Sequence, residues 1–413
     1  YGAVDLLVVG RFGSTSGLSG VSTGSQVLNL VTFVVTQLAM GITVLIARYL
    51  GEKKEEQIGS IIGGGTVVFA VISLVLFVIM VGFARPIAVL MQAPEEAVEL
   101  TAAYIRICGA GIFFIVAYNV LSAIFRGLGD SNSPLLFVFV ACIVNVVGDL
   151  VLVAGLGMDA MGAALATVFA QALSVVFAIV RLVKKGLPFT ITGYDFRWNP
   201  QCGKFLQIGL PLALQECLTQ GSFLALCAFV NRLGLEASSG YGVACKIVNF
   251  AMLIPGALMQ STSSFVSQNV GAGEQKRAKK TMFTGIGIGL LVGCFAFSLV
   301  FFRGDLLAGI FSADAAVVQR GYEYLKGFAP ETLLTAVLFS MMGYFNGNGK
   351  TVWVMLQGLI QTLLVRLPFA YYMSIQPDAS LTNIGLAAPI STAVGIVLNV
   401  AFFLYLEHAA KRS

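Results

Sequence analysis

"FRGLGDSNSP" (residues 125–134) and "FNGNGKTVWV" (residues 345–354) are one turn met twice. Phe125, Gly127 and Gly129 fall on Phe345, Gly347 and Gly349 at a single offset of 220, and Gly51 falls on Gly271 at the same offset. Around that last pair, "YLGEKKEE" (residues 49–56) and "NVGAGEQKRAKK" (residues 269–280) each end an apolar run with a basic connection. Gly-rich turns recurring by chance would not keep one register, so the chain repeats itself over about half its length.

Between these turns the sequence is apolar. Of 413 residues 57% are hydrophobic and 11% charged, with a mean hydropathy of +0.89. A soluble domain carries about a quarter charged residues, so this is a polytopic membrane protein. Apolar runs occupy residues 1–9, 25–49, 58–83, 101–125, 134–154, 161–183, 205–230, 241–266, 281–302, 322–345, 352–375 and 384–406, twelve spans in all. The first is short against the ~20 residues that cross a bilayer, so the chain is expected to open part-way through its first helix. The fold class expected is all-α, with an N-terminal six-helix lobe over residues 1–185, a cytoplasmic loop over 186–204 and a C-terminal six-helix lobe over 205–413. An even number of spans per half makes the repeat parallel, about a pseudo-two-fold axis along the membrane normal.

Basic residues set the orientation. The connections after even-numbered spans carry Lys53, Lys54, Arg126, Lys184, Lys185, Lys276, Arg277, Lys279, Lys280 and Lys350, while the other side has only Arg11, Arg85, Arg232, Arg303 and Arg320. The positive-inside rule then predicts that these connections and both termini are cytoplasmic, in the inner membrane of a prokaryote. The net charge of +5 belongs to that topology, and no clustered basic face for nucleic acid is present. Seven cysteines, odd in number and without a CxxC, read as small buried hydrophobes.

Catalytic groups are missing. His408 is the one histidine, and no zinc motif or Ser–His–Asp set can be built on it. "GNGKT" (residues 347–351) resembles the end of a phosphate-binding loop, but Tyr344 stands where its first glycine belongs. An enzyme and ATP-driven transport are both disfavoured. No cofactor is expected, and transport would draw on an ion gradient of Na⁺ or H⁺.

A carboxylate at membrane depth costs about 2.5–3.5 kcal/mol on insertion scales, so buried charges mark candidate sites. Asp149 lies about a turn and a half below the outer end of span 5, with Asn145 four residues earlier on the same face. Thr167 in span 6 and Asp5 in span 1 fall at similar depth. Two carboxylates, an amide and a hydroxyl in one layer suit Na⁺, or protons shared between carboxylates. The second half carries Glu216, Lys246, Glu331 and Arg366 instead. A structural ion-pair network and a substrate-facing cavity are both open for these four. The guanidinium of Arg366 is expected to be neutralised by Glu216 or Glu331.

At these residues the sequence resembles the multidrug and toxic compound extrusion (MATE) family. The resemblance is carried by "VDLLVVGRFG" in span 1, "FRGLGDSNSP" after span 4, "NVVGDLVLVAGLGMDAMGAALAT" in spans 5 and 6, "GLPLALQE" opening span 7, "SQNVGAGEQKRAKK" after span 8 and "VRLPFAYYM" in span 11. It implies a twelve-helix V-shaped antiporter, exporting cationic drugs or metabolites in exchange for H⁺ or Na⁺, with Asp5, Asn145, Asp149 and Thr167 as its N-lobe cation site. The chain is more similar to the DinF-like branch, because the NorM-branch glutamate eight residues after the span-7 proline is here Thr219. Small cationic substrates and the bilayer are the expected partners, and a monomer the expected state. Two rivals stand beside this reading. One is a flippase for a lipid-linked saccharide, which would line its cavity with cations. The other is a membrane protein that transports nothing.

Overall fold

A computed structural model describes residues 2–184, 190–312 and 314–412, so Tyr1, Lys185 and the opening of the 186–204 connection lie outside the described residues. The first half holds the short helix α1 (Gly2–Phe12) and five candidate membrane spans: α2 (Thr15–Gly51), α3 (Ile58–Gly82), the bent α4 (Glu95–Ala110 with Ile112–Gly127), α5 (Asn132–Gly155) and α6 (Asp159–Lys184). The second half repeats them as α7 (Pro200–Asn231), α8 (Leu235–Gly271), α9 (Gln275–Phe311), the bent α10 (Ala315–Phe328 with Glu331–Gly347), α11 (Thr351–Ser374) and α12 (Leu381–Ala410). In bilayer hydrocarbon only an unbroken helix satisfies all its own backbone groups, which is why runs of this length and composition take no other form. The bends, 54° in α4 and 48° in α10, fall at Gly111 and at Ala329–Pro330. Pro330 lacks an N–H and cannot continue the ladder through its turn.

The offset of 220 is obeyed bond by bond. After α4 the Asp130 N–H donates to the Phe125 carbonyl (2.9 Å) and the Gly129 N–H to Arg126 (3.0 Å). After α10, Lys350 and Gly349 donate to Phe345 (2.8 Å) and Asn346 (2.9 Å). Gly129 and Gly349 take φ of +78° and +75°, the left-handed residue that such a helix stop requires. The stop after α2 copies the stop after α8, with Lys54 on Tyr49 and Glu274 on Asn269. There Gly273 has φ +75°, but its counterpart Lys53 is forced to +55°. Lys53→Gly is therefore expected to stabilise the protein by about 1 kcal/mol, read as a rise in melting temperature in detergent.

Two compact units result, Tyr1–Ala213 and Leu214–Ser413, dividing within α7. The first three turns of α7 belong to the first unit because glycines let them approach α2. A Cβ at Gly41 would sit 2.1 Å from the Phe205 carbonyl oxygen, and one at Gly209 2.3 Å from that of Leu38. Polarity alone put this junction at 204/205. The core of the first unit is built on Ile42, Ile46, Ile61, Tyr104, Phe125 and Phe137. That of the second is built on Tyr241, Val300, Tyr324, Phe328 and Ile384. The connection before α7 is fastened to the first unit: Asp195 accepts from the Thr192 N–H (2.8 Å) and the Ser60 hydroxyl (2.8 Å), which hold its carboxyl below the usual carboxylate range. All seven cysteines are unpaired, with Cys108 and Cys202 buried but Cys217 and Cys294 exposed on the helix surface rather than packed inside.

Candidate functional site

Asp5 lies on α1, Asn145 and Asp149 on α5, and Thr167 on α6; all four are buried. The chain runs straight from α5 into α6 through a tight turn, which returns Thr167 to the depth of Asp149. The Thr167 hydroxyl donates to Asp5 Oδ2 (3.1 Å), and the Asn145 amide donates to Thr167 Oγ1 (3.3 Å). The Asp5 and Asp149 carboxyl groups are neighbours across the layer. Immediately after Asp149 the helix widens into a π segment, Leu150–Gly155, a distortion often found at functional sites.

The layer is short of donors. Asp5 Oδ1, Asn145 Oδ1 and both oxygens of Asp149 are shut off from solvent and receive no backbone, amide or hydroxyl donor, while the Asp5 and Asp149 carboxyl groups lie within hydrogen-bonding reach of each other. An unsatisfied buried polar atom costs about 1–3 kcal/mol, and more when charged, so four together are an arrangement that a cation or shared protons would relieve. The oxygens fit a hard monovalent cation or protons. Among the described residues no cluster of three or more His, Cys, Asp and Glu side chains exists to hold a transition metal.

Two contacts around the layer were missed from sequence. Tyr104 of α4 is buried and donates its hydroxyl to Asp5 Oδ2 (3.4 Å). Its ring passes over α2 at Gly24, where a Cβ would lie 2.5 Å from Tyr104 Cδ1. An amphipathic aromatic in mid-span was the available signal. Asp159, the first residue of α6, accepts from the Ser14 hydroxyl and from the Ser14 N–H (3.4 Å) between α1 and α2. Its φ is +52°, a strained value for a residue with a Cβ. Helix α1 is thus tied to α6 twice, through Asp5 to Thr167 and at its outer end to Asp159. No spacing rule links residues 14 and 159.

In the second unit Arg366 and Glu331 are both buried and make no direct salt bridge, but they lie close enough for the guanidinium charge to act on the Glu331 carboxyl group. Arg366 Nε donates to the Ser391 hydroxyl (3.3 Å), and Glu331 accepts from the hydroxyl of Thr392 (2.8 Å), the next residue along α12. Each charged group is thus held by one of two adjacent hydroxyls of α12. The Arg366 guanidinium also stacks over Phe223 at 5.6 Å. Gln361 and Gln357 extend the network, through Thr392 (3.0 Å) and through each other (2.6 Å). Glu216 is bonded to Gln220 on its own helix (2.7 Å). Lys246 is exposed and faces the Phe311 ring at 5.7 Å, so it is no part of the buried set. Arg366 lies in a second π segment, Ile360–Arg366, which the repeat offset would not place there. Spans α5 and α11 depart from the repeat where they carry charge.

The MatE family model matches residues 1–151 and 211–372. The chain belongs to the MatE family. It is accordingly a multi-pass membrane transporter rather than an enzyme. A probable multidrug resistance protein of Bacillus subtilis, YoeA, is 23% identical over 98% of this chain and 89% of its own length. The multidrug export protein MepA of Staphylococcus aureus is 24% identical over 87% of this chain and 81% of its own. Among solved structures, an outward-facing multidrug resistance MATE family transporter of the MOP superfamily superposes with a TM-score of 0.93 at 21% identity, covering 99% of this chain and 92% of that one. A MOP superfamily transporter from Pyrococcus furiosus, described as having a binding pocket of reversed polarity, superposes with a TM-score of 0.92 at 21% identity, covering 100% and 92%. Both share the twelve-helix, two-lobe fold.

Proposed function

We propose that this MatE-family chain is a cation-coupled antiporter that exports cationic, amphipathic drugs or metabolites by alternating access. Asp5 and Asp149 act as the coupling carboxylates, with Asn145 and Thr167 completing the shell. The observation that carries the reading is the buried pair of carboxyl groups of Asp5 and Asp149, which face each other with no amide or hydroxyl donor on either Asp149 oxygen or on Asp5 Oδ1. Two carboxylates in one buried layer cannot both easily stay ionised without a cation between them. Either Na⁺ enters the layer or a proton is held there. Release of the ion changes the charge of α1 relative to α5 and α6, so the state with the ion and the state with cargo differ in energy, and exchange requires that difference. An acidic layer also favours cationic cargo. The multidrug names of the relatives agree with this. In this reading both termini are cytoplasmic, which the basic connections support through the positive-inside rule.

The test is ethidium flux in proteoliposomes, with pH and Na⁺ gradients imposed separately. Flux driven by one gradient identifies the coupling ion. Flux unaffected by either gradient would remove the antiport reading.

A further inference from the structure

A groove of about 490 Å³ runs along the membrane surface of the second unit between α8 and α9. On α9 it is lined by Arg277, Lys280, Thr284 and Ile288, whose spacing keeps them on one helical stripe. Facing them on α8 are Ser261, Phe265 and Leu258, with Gly285 lining the groove from α9. The groove is graded along its length. At the basic end of the spans it offers Arg277, Lys280, Thr281 and Asn269 with the Phe265 ring beside them; Ser261, Thr262 and Thr284 line its middle, and Leu258 and Ile288 its inner end. The helical rise from Arg277 to Ile288 is about 16 Å.

The cations are unpaired. Lys279 of the same turn is taken by Glu407 of α12. Among the described residues, neither Arg277 nor Lys280 has a carboxylate in contact, and both are exposed. Cationic cargo is repelled by such a mouth. A small soluble anion would use the cations but leave the apolar length unfilled. A molecule with an anionic head and a hydrocarbon tail matches both ends.

We propose that this groove is a binding site for an anionic phospholipid of the leaflet at the basic end of the spans, its phosphate on Arg277 and Lys280 and one acyl chain along Phe265, Leu258 and Ile288. The site lies apart from the Asp5–Asp149 layer and depends on the membrane fold alone, not on ion coupling.

Native mass spectrometry of the delipidated full chain in detergent tests it, with phosphatidylglycerol, phosphatidylcholine and inorganic phosphate as probes. Phosphatidylglycerol is expected to bind at least about tenfold more tightly than phosphatidylcholine, and inorganic phosphate in excess should not displace it. The double variant Arg277→Gln/Lys280→Gln should lose that preference, weakening phosphatidylglycerol by roughly 30-fold. Lys276→Gln, one residue outside the groove, should leave the preference intact. Thr284→Trp, which fills the groove from an exposed position, should weaken both lipids. Equal affinity of the wild type for both lipids, an unchanged preference in the double variant, or displacement by inorganic phosphate would each overturn the assignment.

Discussion

Asp149→Asn is expected to abolish gradient-driven export while leaving the transporter folded. The substitution keeps the shape of the side chain and removes its charge. It also supplies an amide N–H₂ to a layer where Asp5 Oδ1 and Asn145 Oδ1 lack donors. The variant should therefore melt no lower than wild type, and it should melt higher if the new donor reaches either oxygen. The same donor fills the role proposed for the ion. Removing one of two charges from a buried site is expected to weaken ion binding by roughly 100-fold or more. Asp5→Asn should behave alike, since its Oδ2 already holds the Thr167 and Tyr104 hydroxyls and its Oδ1 is open. The double variant should be no worse than either single one, because the pair acts as a unit. The measurement is ethidium flux in proteoliposomes under an imposed pH or Na⁺ gradient, with melting temperature in detergent as the control for folding. Wild-type flux from both single variants would make the layer a structural knot.

Gly41→Leu and Gly209→Leu should each collapse the yield of folded protein. At both positions the obstacle to a Cβ is the backbone of the facing helix, at 2.1 Å and 2.3 Å. A flexible side chain can turn aside, but a carbonyl in a helical ladder cannot. Small residues are what let membrane helices approach this closely. Overpacking costs about 1–3 kcal/mol where neighbours can shift, and more where they cannot. Even Gly41→Ala is expected to lower the melting temperature, since the clash begins at Cβ. Gly287→Leu is the control, because a Cβ there meets nothing within 4 Å. Monodisperse yield on size-exclusion chromatography reads the difference. Equal yields for Gly41→Leu and Gly287→Leu would show that α2 and α7 have room to separate.

Much of this molecule is written locally, and those parts are legible in the sequence. Hydropathy marks each span, because in a bilayer an apolar run of sufficient length has one way to satisfy its backbone. The offset of 220 appears in the helix stops because a left-handed glycine after a helix is demanded by the turn itself. The shared depth of Asp5, Asn145, Asp149 and Thr167 follows from helical rise, chain direction and a short α5–α6 turn.

What only the tertiary structure decided is how each helix is rotated about its own axis and which distant helix it meets. Lys246 and Arg366 are both charges in apolar spans, yet one faces outward and the other is buried against α12. Glu331 and Arg366 could have formed a salt bridge, but Arg366 bonds to Ser391 and Glu331 to Thr392, the next residue of α12. Tyr104 closes on Asp5, and Asp159 on Ser14, across 99 and 145 residues. Helical spacing assigns side chains to faces of one helix. It does not say which face meets which neighbour, because that is settled by the close packing of all the helices at once, and by the glycines that let some of them touch.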